Sequence, residues 1–246
     1  MRARMLAVTT LVAALAAAGA CSADAPLPTL GSGGGTTGGV DTASNARIRL
    51  VNATATILDL ASNGIVAAGN AAIEFGEVSS CTPTNAVRPD LTVRVGGTLA
   101  PIPGLATAYQ SGVNYTVIAF TGSGVTTQFA TIADIFAPVL GEAALRVFNA
   151  SPAGTSYDVY VTDPGASIDA TPPTFSNVLA GTFSTFGNAS AGTPRHVRIT
   201  SAGSKNVVVD VGNTALIEGQ VVTLVIVAPV AGSTRPRVFT AEGCSR

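Results

Sequence analysis

The sequence predicts an all-β protein: two tandem antiparallel β-sandwiches behind an export signal and a flexible linker. Three observations carry this. Thr, Val, Ser and Gly are abundant while helix-forming Glu, Lys and Gln are scarce, a balance that favours strands joined by turns. Short runs of alternating or continuous apolar residues are separated by Gly, Pro and Asn. One string occurs twice, as Ala46-Arg47-Ile48-Arg49-Leu50-Val51-Asn52-Ala53 and as Ala143-Ala144-Leu145-Arg146-Val147-Phe148-Asn149-Ala150. Each copy opens a stretch of about a hundred residues, which suits one immunoglobulin-like sandwich apiece. The expected domains are 46–133 and 141–246.

Composition sets the outer bounds. The chain has 246 residues, 47% hydrophobic and 11% charged, with no Trp, one His and one Lys. That is enough apolar material for two cores and too little charge for a disordered chain. Removing the first twenty residues deletes Arg2 and Arg4, so 11 basic residues face 14 acidic ones, a net charge of −3. No basic patch is present, which excludes nucleic acid as an expected partner.

Residues 1–20 have the pattern of a signal peptide. Arg2 and Arg4 form a positive start, and residues 5–17 are an uncharged Ala/Leu/Val run too short to span a membrane as a helix. Leu15-Ala16-Ala17-Ala18-Gly19-Ala20-Cys21 resembles a bacterial lipoprotein signal, in which Cys21 becomes the lipidated first residue. Ala18 departs from that pattern, where Leu, Val or Ile is usual. Ala18-Gly19-Ala20 also fits ordinary signal-peptidase cleavage, with secretion as the outcome. Residues 21–45 are a tether, including Gly31-Ser32-Gly33-Gly34-Gly35-Thr36-Thr37-Gly38-Gly39, suited to holding a domain off a membrane surface. Three cysteines leave one unpaired in an exported chain. A lipid on Cys21 leaves Cys81 and Cys244 either as a disulfide or as two separate thiols. Ser22 stands where Asp marks inner-membrane retention in well-studied envelopes, and by that resemblance points to the outer membrane.

In the first domain, Arg47-Ile48-Arg49-Leu50 alternates with period two, as a strand does. Residues 56–60 form a second strand, and Asn63-Gly64 turns the chain before Ile65-Val66. Residues 71–78 alternate again. Residues 79–90, with Cys81, Pro83 and Pro89, are expected as loop. Residues 91–95 form a strand, and Pro101, Pro103 and Gly104 interrupt the stretch after it. Residues 110–114 turn into residues 115–120, apolar on both faces and therefore central in a sheet. Residues 126–132 complete the domain.

A connector containing Pro138 leads to the second copy. Residues 156–161 put Tyr157, Val159 and Val161 on one face and Asp158 and Tyr160 on the other. Residues 163–173 are a Pro-rich loop. Residues 182–186, 196–200 and 206–211 are further strands. Glu218-Gly219-Gln220 turns into residues 221–227, the counterpart of 115–120, and residues 235–240 end the domain. The landmarks keep their order but not their spacing: Arg49 to Arg146 is 97 residues, Gly112 to Gly219 is 107. A longer exposed loop accounts for the difference.

Leu145-Arg146-Val147-Phe148-Asn149-Ala150-Ser151-Pro152 followed by Tyr157-Asp158-Val159-Tyr160-Val161 resembles the opening of the bacterial domain of unknown function 4397 family. Residues 191–199 are similar to that family's Gly-Thr strand segment, and residues 111–117 to its Gly-x-x-Tyr-Thr-Val segment. The first domain departs, with Thr54-Ala55 for Ser-Pro and Leu58-Asp59-Leu60 for the Tyr-Asp-Val-Tyr run. The resemblance implies envelope or extracellular β-sandwich domains, and it implies no activity.

Chemistry is sparse. His196 is the only histidine and sits in an expected strand, whereas catalysis would need a nucleophile and an orienting acid beside it. Residues 188–192 miss the first glycine of a nucleophile elbow. One histidine and few cysteines do not make a zinc site, and residues 31–39 lack the Lys and helix of a phosphate loop. No cofactor or catalytic residue is therefore expected. Asp163 and Asp169 bracket a loop that suits either Ca²⁺ or simple turns. Glu74 and Glu77 fall on opposite faces of an expected strand, a poor acid–base pair. Arg49 with Asp59, and Arg146 with Asp158, recur at matching places and are expected to pair at the surface across neighbouring strands. Tyr109, Tyr115, Tyr157 and Tyr160 suit either sugar stacking or core packing. The expected function is a non-enzymatic envelope lipoprotein, held to the membrane by lipid on Cys21, with a structural or adhesive role and an unidentified protein or polysaccharide partner. The alternative is a carbohydrate-binding module for cell-wall or extracellular polysaccharide.

Overall fold

The computed structural model describes residues 45–87, 90–95, 98–101, 109–122, 126–137, 139–229 and 236–244. The signal sequence, Cys21 and the tether up to residue 44 lie outside the described residues. The protein is all-β. The first half contributes β1 (Asn45–Ala53), β2 (Leu58–Ser62), β3 (Ile65–Val66), β4 (Thr82–Asn85), β5 (Leu91–Val95), β6 (Thr98–Pro101), β7 (Asn114–Phe120) and β8 (Gln128–Ala133). The second contributes β9 (Glu142–Asn149), β10 (Ser156–Thr162), β11 (Phe175–Leu179), β12 (Gly187–Ser190), β13 (Arg195–Ser201), β14 (Val207–Thr214), β15 (Val221–Val227) and β16 (Arg237–Glu242).

Each half packs two four-stranded sheets. The first half has the orders β4-β1-β7-β8 and β3-β2-β5-β6, and the second β12-β9-β15-β16 and β11-β10-β13-β14. Strand for strand the second half repeats the first, so the duplication extends from one string to the whole topology. Every pairing is antiparallel except β1 with β7 and β9 with β15, which run parallel. Parallel partners cannot be joined by a hairpin, and here the rest of each sandwich supplies the long crossover.

Local chemistry explains most of the elements. Asn63 and Gly64 both take left-handed backbone, at φ 51° and 72°, as the two-residue turn between β2 and β3 requires. Several expectations need correction. Residues 71–78 form no strand: Ala72 and Gly76 have positive φ, and only single bridges, Ile73 to Leu58 and Val78 to Val51, survive. Residues 79–90 are not wholly loop, because β4 lies there. Its Pro83 is tolerated because β4 is a sheet edge, where a missing donor breaks no ladder. The second half adds β11 and β12, which lack long apolar runs, while residues 182–186 make only the Phe183–Phe148 bridge.

Three cores result. One fills the first sandwich around Ile48, Leu50, Leu60, Val93 and Val117, and one fills the second around Leu145, Val147, Val159, Ile199 and Leu224. The third lies between the halves. Val51, Ala53, Ile118 and Phe120 of the β4-β1-β7-β8 sheet meet Phe148, Ala150, Val225, Val227 and Ala241 of its counterpart. The Phe120 and Phe148 rings meet edge-on at 5.1 Å, a favoured aromatic geometry. This explains the runs apolar on both faces. In β1, Ile48 and Leu50 face their own sandwich, while Arg49, Val51 and Ala53 face the other half. The halves exchange no strand among the described residues, yet 40–246 forms one compact unit.

Candidate functional site

The third core has a polar end, built from the repeated arginines. Arg49 lies opposite Thr116 in the β1–β7 ladder, and its Nε donates to Thr116 Oγ1 at 2.9 Å. Arg146 lies opposite Thr223 in the β9–β15 ladder and donates Nε to Thr223 Oγ1 at the same distance. Both side chains are fully buried. They differ in the rest of their partners. Arg146 forms an ion pair with Asp134, donates Nη1 to the Ala133 carbonyl at 3.3 Å, and lies 4.8 Å from the Phe186 ring centre and 5.2 Å from that of Phe183. Phe186 in turn stacks on Phe136 at 4.8 Å. Arg49 donates Nη2 to the Ala241 carbonyl at 3.4 Å, and its buried Nη1 has no hydrogen-bond partner.

Asp134 joins the two systems. Thr116 Oγ1, which accepts from Arg49, lies 2.9 and 3.0 Å from the two Asp134 carboxylate oxygens and donates to them. One carboxylate in the connector thus serves one arginine directly and the other through a hydroxyl. Its place follows from the repeat: Asp134 N bonds to Asn114 O just past β8, and Gly243 N bonds to Val221 O just past β16. Gly243 offers no side chain, so the second arginine has no carboxylate of its own. Burial lowers the Arg49 pKa from its ordinary value to about 10, with Asp134 and Glu242 opposing the shift and Arg146 adding to it. Burial lowers that of Arg146 as well, against the Asp134 charge and hydrogen bond.

Beyond this end opens a cavity of about 690 Å³, with Asn114, Asp134, Phe136, Glu218, Gln220 and Glu242 in its wall. Asn114 Nδ2 donates to the Cys244 carbonyl at 3.1 Å, and Cys244 is disulfide-bonded to Cys81 with Cα atoms 5.8 Å apart. The bond ties the loop before β4 to the residues after β16. The wall combines carboxylates, amides and a phenyl ring, so it can take up a polar or cationic group. Asp134 is not a free base within it, because Arg146 and Thr116 already occupy its oxygens.

The pairing of Arg49 with Asp59 and of Arg146 with Asp158 is overturned. Each arginine points away from its own sandwich, whereas Asp59 and Asp158 lie in the opposite sheets, on β2 and β10. Asp59 pairs instead with Arg94 at 3.3 Å and accepts from Ala72 N. Asp158 accepts from Asn177 N at 2.7 Å and Gly203 N at 2.8 Å. Glu74 and Glu77 sit in a turn rather than a strand, where Glu77 Oε2 accepts from Glu74 N. Asp163 pairs with Arg195, and Asp169 accepts from Ser167 Oγ.

His196 lies on β13, with Nε2 2.7 Å from Asp210 Oδ1 on β14. That hydrogen bond, chiefly, lowers the Asp210 pKa. Residues 188–190 belong to β12, an extended edge strand rather than an elbow. Tyr157 is in the second core, and Tyr160 is buried beneath Lys205, whose Nζ stands 4.6 Å from the ring centre. Tyr109 and Tyr115 pack on each other at 4.6 Å, and burial raises the Tyr109 pKa.

Sequence reasoning missed Asp134, Thr116 and Thr223. A signal was present: an arginine at the same interior place of both repeats needs an acid, and Asp134 is the one carboxylate in the connector. No model of a known protein family matches the chain, and no curated protein matches it.

Proposed function

We propose that this protein is a non-enzymatic lipoprotein of the cell envelope, with a structural or interaction role, anchored by lipid on Cys21 in the outer membrane. The carrying observation is the use to which the buried ionisable groups are put. Arg49, Arg146 and Asp134 are engaged in joining two sandwiches, with a phenyl-lined core beside them, rather than aimed at a substrate. The Cys81–Cys244 disulfide supports an oxidising compartment. The apolar run before Cys21 and the Gly-rich tether behind it support the anchor. The resemblance to the domain of unknown function 4397 family supports an envelope or extracellular setting.

The test is the intact mass of the protein purified from its own membranes. A diacyl or triacyl mass on Cys21 is expected. An unacylated chain recovered from the medium would sink the anchor and assign the protein to the secreted fraction.

The amides and carboxylates of the cavity favour a second reading, a carbohydrate-binding module. The tyrosines do not supply its stacking platform, since each packs against another side chain. A glycan array tests it, and an array without hits removes it.

A further inference from the structure

Arg49 uses two of its guanidinium nitrogens to join the halves, Nε on Thr116 Oγ1 and Nη2 on the Ala241 carbonyl. The third, Nη1, is buried without a partner, on a side chain that is 1% exposed. A charged donor sealed from water and left unbonded is costly, so its retention needs a reason. Arg146 shows what the position takes when it is complete: Nη2 pairs with the Asp134 carboxylate and Nη1 donates to the Ala133 carbonyl. The counterpart of Asp134 in the second half is Gly243. A Cβ there would stand 3.2 Å from both the Cβ and the carbonyl oxygen of Val221. The chain is thereby kept from placing a second acid at that point. Two buried arginines against one buried carboxylate leave a positive charge in excess.

The large cavity opens at the same place. Gly243 and Val221 are in its wall, and so are Asp134 and Glu242, the two carboxylates whose charges act on Arg49. Arg49 lies behind this wall, within reach of both. The wall also carries Glu218, Gln220 and Asn114 and, among the described residues, no basic side chain. Glu218 is engaged with Gly141 N and Asn114 with the Cys244 carbonyl, whereas Glu242 is exposed at the end of β16. A simple anion would be repelled by Glu218 and Glu242 before it reached Arg49. A simple cation would leave the excess charge behind the wall unanswered. A molecule that carries both charges answers both.

We propose that the cavity binds a small amino-carboxylate, an α-amino acid or a short peptide, with its carboxylate on Arg49 Nη1 and its ammonium on Glu242. The exposed Glu242 side chain turns aside to admit the carboxylate and closes on the ammonium, so each charge gains a partner. The cavity volume of about 690 Å³ leaves room for the rest of the molecule beyond its two charges. The site depends neither on the Cys21 anchor nor on the carbohydrate reading of the cavity.

The test divides glycine into its two halves. Backbone amide NMR of the mature chain is followed during titration with glycine, glycylglycine, acetate and methylammonium at constant ionic strength. Glycine or glycylglycine should move the Gly112, Gly219 and Gly243 amides saturably, and the tighter of the two reports the spacing of the charges. Acetate and methylammonium should each bind at least about tenfold more weakly, since each lacks one charge-assisted contact. Arg49→Met should weaken the amino-carboxylate by about tenfold or more for the same reason. Glu242→Gln, a change at an exposed side chain, should weaken it severalfold with the fold intact. No saturable shift with either amino-carboxylate would overturn the site. Acetate or methylammonium binding as tightly as glycine would overturn it in favour of a site for a single charge. Unchanged affinity in Arg49→Met would overturn it as well, by removing Arg49 from the contact.

Discussion

Arg49 and Arg146 occupy the same register position in their two halves, each opposite a threonine on a parallel strand and each donating Nε to that hydroxyl at 2.9 Å. One carboxylate, Asp134, serves both. The internal symmetry therefore holds in the strand order and is broken in the charge.

Removing that carboxylate should be strongly destabilising. Asp134→Asn removes the carboxylate that pairs with the buried Arg146 and serves Arg49 through Thr116, and it should destabilise the fold by about 3–5 kcal/mol in urea unfolding. Arg49→Met should leave stability unchanged or raise it. Its folded-state pKa of about 10 lies below that of a free guanidinium, so the charged form costs the folded state at every pH below about 10, and the cost fades as pH rises from there toward the free value. A loss from Asp134→Asn no larger than the roughly 1 kcal/mol of a surface pair would refute the shared-carboxylate role.

The asparagine of the repeated string has an equally structural role. Asn149 donates Nδ2 to the Val178 carbonyl at 3.0 Å and accepts from Ser151 N at 3.0 Å, and Asn52 does the same for Ile73 O and Thr54 N at 2.8 Å. Asn149→Ala strands a buried carbonyl and amide and should cost about 1–3 kcal/mol. Asn52→Ala should cost a similar amount, and a negligible loss at both would deny the asparagine its role as a loop clamp.

The Cys81–Cys244 bond closes a loop of 163 residues. On the chain-entropy argument its loss should cost up to about 5 kcal/mol, the loop being long. Cys81→Ser, Cys244→Ser and the double variant should show the same lowered melting temperature, each equal to that of the reduced wild type. A melting temperature insensitive to reductant, with no mass change of two hydrogens, would exclude the bond.

Asp210 should respond to His196→Ala. The hydrogen bond from His196 is the largest cause of its lowered pKa, with the Gly212 amide contributing. A carboxylate whose folded pKa lies below 3.8 stabilises the fold above that pH and loses the contribution as pH falls through the folded pKa. In the variant, NMR titration of Asp210 should move up toward 3.8, and the acid-side slope of stability should become shallower. An unmoved titration would show that the Gly212 amide alone sets it.

The duplication and most strands were legible because they rest on local patterns. Period-two alternation marks β1, β5 and β10, the Asn63-Gly64 pair marks its turn, and two-sided apolar runs mark β7 and β15 as central. Strands without such patterns were not legible. β4 carries Pro83, and β11 and β12 are short edge strands whose polar residues give no alternation to detect. Residues 71–78 carried the pattern and formed no strand, because Ala72 and Gly76 take up left-handed backbone.

The sequence by itself determined an all-β fold repeated twice and the faces on which side chains lie, since pleat and turn chemistry act between near neighbours. Only the tertiary structure decided what those faces meet. The outward face of β1 could have met water, and Arg49 and Arg146 would then have been surface charges. It meets the other half instead, because Val51, Ala53, Phe120 and Phe148 bury their apolar area only together. That burial carries the arginines inside, where an unpaired charge is costly, and makes Asp134 in the connector their shared partner.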